Sequence, residues 1–226
     1  MKLSIIIPVF NEEKTIVQVL EKVLAQAIGE WQKEVIVIDD DSSDGTSKKL
    51  EPFFDQVRVF KHAQNQGKGA ALQTGFDVAR GEAIIVQDAD LEYDPADWPR
   101  LIRALEENPE LAAVYGSREL SPERRGYFPY VLGVKFLTFL INLLFGSRLT
   151  DAYTGYKLFR AEAIKSVNLE SRGFEIEAEI TVKLLRGGFQ IKEVPIHYRP
   201  RSFSEGKKIR ARDGLRGIWT ILKYRL

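Results

Sequence analysis

The sequence predicts an α/β fold built on a doubly wound, mainly parallel sheet. Three observations lead there. Short apolar runs alternate with helical patterns across residues 1–117. The runs are apolar at nearly every position, as parallel strands covered on both faces should be. Four of them end in polar clusters, and in a parallel sheet those ends share the edge where open α/β folds bind ligands.

Taken in order, Leu3 to Val9 is the first strand, broken by Pro8-Val9-Phe10-Asn11-Glu12-Glu13. Its apolar stretch is too short for a signal peptide, and Asn11-Glu12-Glu13 follows at once. Ile16, Val19, Leu20, Val23 and Leu24 recur at helical spacing, with Asn11 the expected N-cap. Glu34 to Ile38 is a second strand entering the acidic turn Asp39 to Thr46. A short helix and a third strand, Val57 to Phe60, follow. Asn65-Gln66-Gly67-Lys68-Gly69 opens a helix over Ala70 to Ala79, with the glycines allowing the turn and Lys68 expected to be exposed. Glu82 to Val86 is the fourth strand, Pro95 starts the next helix, and Leu111 to Tyr115 is a fifth strand ending at Gly116-Ser117-Arg118.

The pattern then changes. A polar linker, Ser121 to Gly126, precedes residues 127–146, which are rich in large apolar side chains but interrupted by Lys135, Thr138 and Asn142. The segment is predicted to be a helix, and two readings stand: it lies at a membrane face or a partner, or it forms a second core layer. Asp151 to Arg160 reads as a loop and short strand, residues 161–166 and 175–186 as helices, and Phe189 to Tyr198 as a strand. Residues 199–216 carry seven basic and two acidic residues, net +5, and lead into an amphipathic helix through Leu215, Ile218, Trp219 and Leu222.

Composition removes several chemistries. With 44% hydrophobic and 29% charged residues the chain is globular, and a net charge of +1 offers no field for nucleic acid. The absence of cysteine excludes disulfides, thiolate zinc sites and cysteine nucleophiles, and suits a reducing compartment. Only His62 and His197 are present, so a histidine-rich metal site is excluded and a Ser-His-Asp triad disfavoured. Gly67-Lys68-Gly69-Ala70-Ala71-Leu72 completes only half of a dinucleotide-binding G-x-G-x-x-G, and no G-x-x-x-x-G-K-[ST] loop occurs.

The fourth strand runs into Asp88-Ala89-Asp90-Leu91-Glu92. Side chains two apart in extended chain point to the same side, so Asp88 and Asp90 can converge just past the strand end. Paired carboxylates there suit a hard divalent cation, Mg²⁺ or Mn²⁺, shared with a substrate phosphate. An isolated D-x-D is more often a solvated acidic loop, and the neighbouring strand ends are what raise its standing.

Four stretches together resemble family 2 glycosyltransferases of the GT-A fold: Ile6-Ile7-Pro8-Val9-Phe10-Asn11-Glu12-Glu13, Val35 to Thr46, Asn65 to Ala71 and Asp88 to Glu92. Gly116-Ser117-Arg118, Asp151 to Phe159 and Glu205 to Ile209 are similar to the polyprenyl-phosphate sugar synthase branch, the dolichol-phosphate mannosyltransferase-like proteins. The resemblance implies one GT-A domain over residues 1–226, a Rossmann-like sheet with membrane-interface helices. Residues 1–118 would be the nucleotide-sugar half, and residues 119–226 the acceptor half, with its interfacial helix 127–146 and basic segment 199–216. It implies inverting transfer of a hexosyl group from GDP-mannose or a UDP-sugar to a polyprenyl phosphate, with Mg²⁺ or Mn²⁺, by a peripheral protein on the cytoplasmic face of a membrane. A further membrane subunit or an oligomer would fit the same picture.

By that analogy Pro8, Phe10 and Glu12 line the nucleotide pocket. Ile38 and Asp40 continue it, Asp40 accepting hydrogen bonds from base or ribose, and Ala89 belongs to the same wall. Asp90 is the principal metal ligand, with Asp88 and Glu92 assisting. Arg118, Arg201, Lys207 and Lys208 face the phosphates, and Asp90, Arg118, Arg201 and Lys207 form the catalytic set. Asp44 is expected to act only as a helix cap. Glu175 and Glu179, one turn apart, are acceptor-side or structural residues, or a base if the acceptor is a hydroxyl. The sequence departs from the branch in carrying Glu92 where familiar members have Gln, and Arg124 and Arg125 are displaced from an expected acceptor-side arginine. Some relatives add transmembrane helices, and none is written in these 226 residues. No Q-x-x-R-W motif occurs, which disfavours a processive polysaccharide synthase. The rival functions are transfer to a lipid or saccharide hydroxyl, and a non-catalytic nucleotide-sugar-binding subunit of a membrane assembly.

Overall fold

The computed structural model describes residues 1–121, 128–201 and 211–225. A seven-stranded sheet runs β3-β2-β1-β4-β6-β5-β7. Its strands are β1 (Lys2–Val9), β2 (Gln32–Asp39), β3 (Arg58–Lys61), β4 (Ala83–Val86), β5 (Leu111–Ser117), β6 (Lys157–Arg160) and β7 (Gln190–Pro195). β1 pairs in parallel with β2 and β4, and β2 with β3. β6 is antiparallel to both β4 and β5, so β4 and β5 again point the same way. The four polar strand ends therefore share one sheet edge, while β6 is an antiparallel insertion between β4 and β5.

Sequence explains the placement. β1 lies centrally and its Leu3, Ile5, Ile6 and Ile7 are fully buried, whereas β3, with Arg58 and Lys61, takes one edge. β7 alternates, as a strand with one wet face should, and takes the other edge. One face of the sheet is covered by α1 (Ile16–Ala25) and α4 (Trp98–Glu106), the other by α3 (Lys68–Val78), α6 (Ala161–Ser166) and α7 (Ile176–Arg186). α1 begins later than expected: Thr15 is its N-cap, and Asn11 lies outside it with φ +52°. The short α2 (Thr46–Leu50) follows the acidic loop.

A third layer is formed by α5 (Phe128–Phe145) and α8 (Ala211–Lys223) packed on α7. Leu137 and Ile141 of α5 meet Ala178 and Val182 of α7 and Ile221 of α8. The opposite stripe of α5, Leu132, Phe136, Phe139 and Leu143, is exposed, as are Leu215, Trp219 and Leu222 of α8. The core-layer reading of the apolar segment therefore holds for one face of α5, and its other face is exposed. No helix among the described residues is long and apolar enough to cross a membrane.

Tight packing of α3 on β1 depends on Gly75, where a Cβ would stand 2.4 Å from Ile6 Cγ2. Gly75→Val is expected to lower stability by about 1–3 kcal/mol in urea unfolding. Gly133 of α5 has open space instead, so Gly133→Ala should raise stability by roughly 1 kcal/mol through helix propensity alone.

Candidate active site

The end of β4 carries the charge. Asp88 and Asp90 are largely buried, with 18% and 17% of their side chains exposed. Burial and the facing Asp90 push the Asp88 carboxyl up to about 6 against the pull of Lys68. Burial and Glu92 also raise Asp90, against Arg201. Two crowded, largely buried carboxylates at a strand end form a donor set suited to a hard cation. Among the described residues no group of three or more acidic, histidine or cysteine side chains could hold a metal. Two carboxylates completed by substrate phosphates is the usual Mg²⁺ arrangement, so Asp88 and Asp90 fit the ion that the strand-end pattern suggests.

Glu92 does not belong to that pair. Its Oε2 accepts from the Tyr198 hydroxyl (2.8 Å) and its Oε1 from the Arg201 backbone N–H (2.7 Å), while its carbonyl accepts from Arg199 N–H (2.9 Å). A bridge between Tyr93 and Tyr198 completes the clasp. Glu92 fastens the segment after β7 onto the β4 loop, which corrects its assignment as a metal ligand. That clasp brings in Arg201, whose Nη1 and Nη2 reach Glu12 Oε2 and Oε1 (3.0 and 3.2 Å) and whose Nη2 reaches Asp90 Oδ2 (2.9 Å). Glu12 is itself buried and tied to Thr15 Oγ1 (2.9 Å). Ala89 is buried beside these groups, and Pro8 and Phe10 stay partly exposed at the β1 end.

The β2 end differs from expectation. Ile38 is fully buried in the core against α3 and lines no open surface with its side chain. Asp40 turns inward: Oδ1 accepts from Gln66 N–H (2.9 Å) and pairs with His62 Nδ1 (2.6 Å), and Oδ2 accepts from Gly67 N–H (2.7 Å). Its role is to fix the Asn65 to Gly69 loop, which corrects its aim at base or ribose. Gly67 is required there, with φ +96° and the Arg172 carbonyl 2.4 Å from a would-be Cβ. Asp44, one residue before the Gly45 N-cap of α2, accepts from Thr46 N–H (2.9 Å) and also from Glu13 N–H (3.2 Å), tying the acidic loop to the β1 end.

The loop so fixed delivers Lys68, which is not exposed. Its ammonium meets Asp88 Oδ1 at 2.8 Å and Glu177 Oε1 at 3.2 Å. Arg118 of the β5 end grips Asp151 with Nε and Nη2 (both 2.7 Å) and lies over the Tyr198 ring (5.2 Å). Asp151 is buried. Sequence reasoning passed over Lys68, Glu177 and Asp151 as site-supporting groups. The available signal was Lys157, a lysine inside an apolar strand, because a buried ammonium demands an anionic partner. Lys207 and Lys208, with Arg124 and Arg125, lie outside the described residues.

Glu179 faces away from this edge. Fully buried, it accepts from the N–H groups of Glu170 (2.9 Å) and Ser171 (2.7 Å), from Tyr224 (2.8 Å) and from Lys183 (2.7 Å). It holds the chain before α7 to α7 and α8 and is not placed to act as a base. Glu175 caps its own turn, with Oε1 accepting from Gly173 N–H (3.1 Å). Burial opposes ionisation of Glu179, but bonds from Lys183 and Ser171 outweigh it and hold the carboxyl below the ordinary range. Its stabilisation is therefore complete above that range and fades as pH falls through the depressed folded value. Glu179→Gln should cost about 1–3 kcal/mol at pH 7, with the gap from wild type closing on acidification in pH-dependent urea melts.

Comparison with known proteins identifies the family and the fold. The Glycosyl transferase family 2 model matches residues 4–167. The chain is 30% identical to an undecaprenyl-phosphate mannosyltransferase of Micrococcus luteus, covering 92% of this chain and 87% of that one. It is 29% identical to a dolichol-phosphate mannosyltransferase of Pyrococcus furiosus, covering 99% of this chain and 64% of that protein. The fold matches glucosyl-3-phosphoglycerate synthase of Mycobacterium tuberculosis, solved with Mn²⁺, UDP and phosphoglyceric acid, at TM-score 0.77 and 21% identity over 99% of this chain and 78% of that one. The chain belongs to glycosyl transferase family 2, in its polyprenyl-phosphate sugar synthase branch.

Proposed function

We propose that the protein is an inverting, metal-dependent hexosyltransferase that moves a sugar from GDP-mannose or a UDP-sugar to a polyprenyl phosphate at a membrane surface. One observation carries the reading. Paired carboxylates, Asp88 and Asp90, share a sheet edge with two arginines, Arg118 at the end of the donor half and Arg201 from the acceptor half. Two arginines beside two carboxylates suit a substrate pair with phosphates on both sides.

In the reaction an ionised oxygen of the lipid phosphate attacks the anomeric carbon and forms the new C–O bond. The bond from that carbon to the donor's phosphate oxygen breaks, and the nucleoside diphosphate leaves with the electron pair. The acceptor is already anionic, so no side chain must take a proton. Asp88 and Asp90 would hold a divalent cation, which would supply positive charge to the leaving diphosphate. Arg118, oriented by Asp151, has Nη1 left for a phosphate oxygen. Arg201 can move from Glu12 and Asp90 to an incoming phosphate at little cost, because it exchanges one charge-assisted bond for another.

The acceptor's chain is assigned to the apolar stripes of α5 and α8. α5 is tied directly to the site loop, since its Thr138 hydroxyl accepts from Ala152 N–H (3.2 Å) and its Lys135 pairs with Glu119 (3.0 Å). Exposed Trp219, large apolar neighbours and the nearby Arg212 and Arg216 suit a bilayer interface with anionic lipid.

Incubation with labelled GDP-mannose, UDP-glucose or UDP-N-acetylhexosamine, Mg²⁺ or Mn²⁺, and polyprenyl phosphate should move label into the organic phase. Asp90→Asn should lower that transfer by roughly 100-fold or more at an unchanged melting temperature. Label found only on soluble hydroxyl acceptors would refute the lipid-phosphate assignment. The paired change Phe139→Glu with Trp219→Glu should reduce sedimentation with anionic vesicles while leaving thermal stability within a few degrees of wild type. Equal sedimentation would remove the membrane assignment.

A further inference from the structure

Behind the diphosphate edge lies a row of four alternating charges contributed by four separate parts of the chain. Asp88 follows β4, Lys68 opens α3, Glu177 lies in the first turn of α7, and Lys157 begins β6. Lys68 bridges Asp88 Oδ1 (2.8 Å) and Glu177 Oε1 (3.2 Å), and Glu177 Oε2 bonds Lys157 Nζ. Lys157 is fully buried, with its ammonium 4.9 Å from the Tyr115 ring centre, and Glu177 is 5% exposed. Gly155 closes the side of the row: a Cβ there would stand 2.6 Å from Asp88 Oδ2 and 3.3 Å from Lys68 Nζ.

We propose that Glu177 is a positioning residue for the donor site, acting through Lys68 on Asp88. The proposal rests on the reading of Asp88 and Asp90 as the metal and diphosphate site. A lysine has a flexible four-carbon stem and three donors, so one anion does not fix its head. With Glu177 on one side and Asp88 on the other, the ammonium is held between two carboxylates. Without Glu177 it is free to swing toward Asp90 or an arriving phosphate, and Asp88 loses its fixed hydrogen bond. Glu177 is in turn immobilised by α7 and by Lys157. The row sums to zero charge, so it holds Asp88 in place without adding net charge to an edge that must accept a cation and a diphosphate together. Outer partners of this kind orient a ligand's oxygen and characteristically change metal affinity by 10–100-fold.

The test measures Mn²⁺ binding by calorimetry in the presence of UDP or GDP, with melting temperature recorded for each variant. Glu177→Gln should weaken Mn²⁺ binding about 10-fold, and Lys68→Gln should weaken it by at least as much. Because one residue acts through the other, Lys68→Gln with Glu177→Gln should lose no more affinity than Lys68→Gln alone. Glu177→Gln with Lys157→Met removes the buried unpaired ammonium. It should recover melting temperature without recovering affinity, and it serves as the test protein if the single variant does not fold. A folded Glu177→Gln that binds Mn²⁺ like wild type overturns the proposal, as do additive losses in the double variant or affinity that returns with stability. Wild type that binds Mn²⁺ with neither nucleotide overturns the diphosphate-site reading itself, and this proposal with it. Binding in wild type that the variants leave unchanged overturns this proposal alone.

Discussion

Crowding of negative charge at one sheet edge is the constraint on which the rest of the molecule depends. Parallel pairing of β1, β2 and β4 forces their C-terminal ends together, and Glu12, Asp88, Asp90 and Glu92 arrive with them. Like carboxylates in partly dry surroundings oppose one another's ionisation, as the raised Asp88 and Asp90 record. Counter-charge must come from elsewhere, and it comes from two directions. Lys68 enters from behind through the loop that Asp40 and the two glycines shape, and Arg201 enters from the front through the Glu92 clasp. The tie between the nucleotide half and the later half is therefore chiefly electrostatic at this edge.

That tie explains why Asp40 and Glu92 are better understood as fasteners than as ligands. Asp40 receives two backbone N–H groups from a distant loop, and Glu92 receives one together with the Tyr198 hydroxyl, the geometry that fixes a segment in place. A carboxylate with both oxygens so engaged would leave those N–H groups unsatisfied if it turned to a substrate. Arg201 is in the opposite position. Its guanidinium bonds Glu12 and Asp90, and a cation held by Asp88 and Asp90 would take over the second of these partners.

The mainly parallel sheet and the shared edge were legible because they follow from apolar runs and period. The carboxylate pair was legible for the same reason, since a strand fixes which side chains share a side. Burial was harder to see. Lys68 sits between two glycines in a polar loop, and nothing local says that the loop folds inward against the Arg172 carbonyl. Helix α7 misled through spacing. Glu175 and Glu179 share a face by the four-residue rule, but Glu177 between them is the residue turned toward Lys68. With α7 covered on nearly every side, its sequence shows no polar stripe to mark a functional face. β6 was foreseen as a strand, but its antiparallel place between β4 and β5 depends on a long return connection that composition does not encode.

The three-layer arrangement bears on how a lipid phosphate could be handled. Such an acceptor carries a doubly charged head on a wholly apolar chain, and no single environment suits both. α7 separates the two environments. Through Glu177 it contributes to the charged row behind the donor edge, and through Ala178 and Val182 it supports α5 and α8. α5 presents its other side, Phe136, Phe139 and Leu143, to the surroundings while Thr138 holds the loop next to Asp151 and Arg118. The apolar surface and the arginine are thus joined by a few packed residues rather than a hinge. On the proposed function, a head group reaching Arg118 would leave its chain on the α5 and α8 stripes, so the lipid would not be drawn out of an apolar phase for its phosphate to meet the sugar.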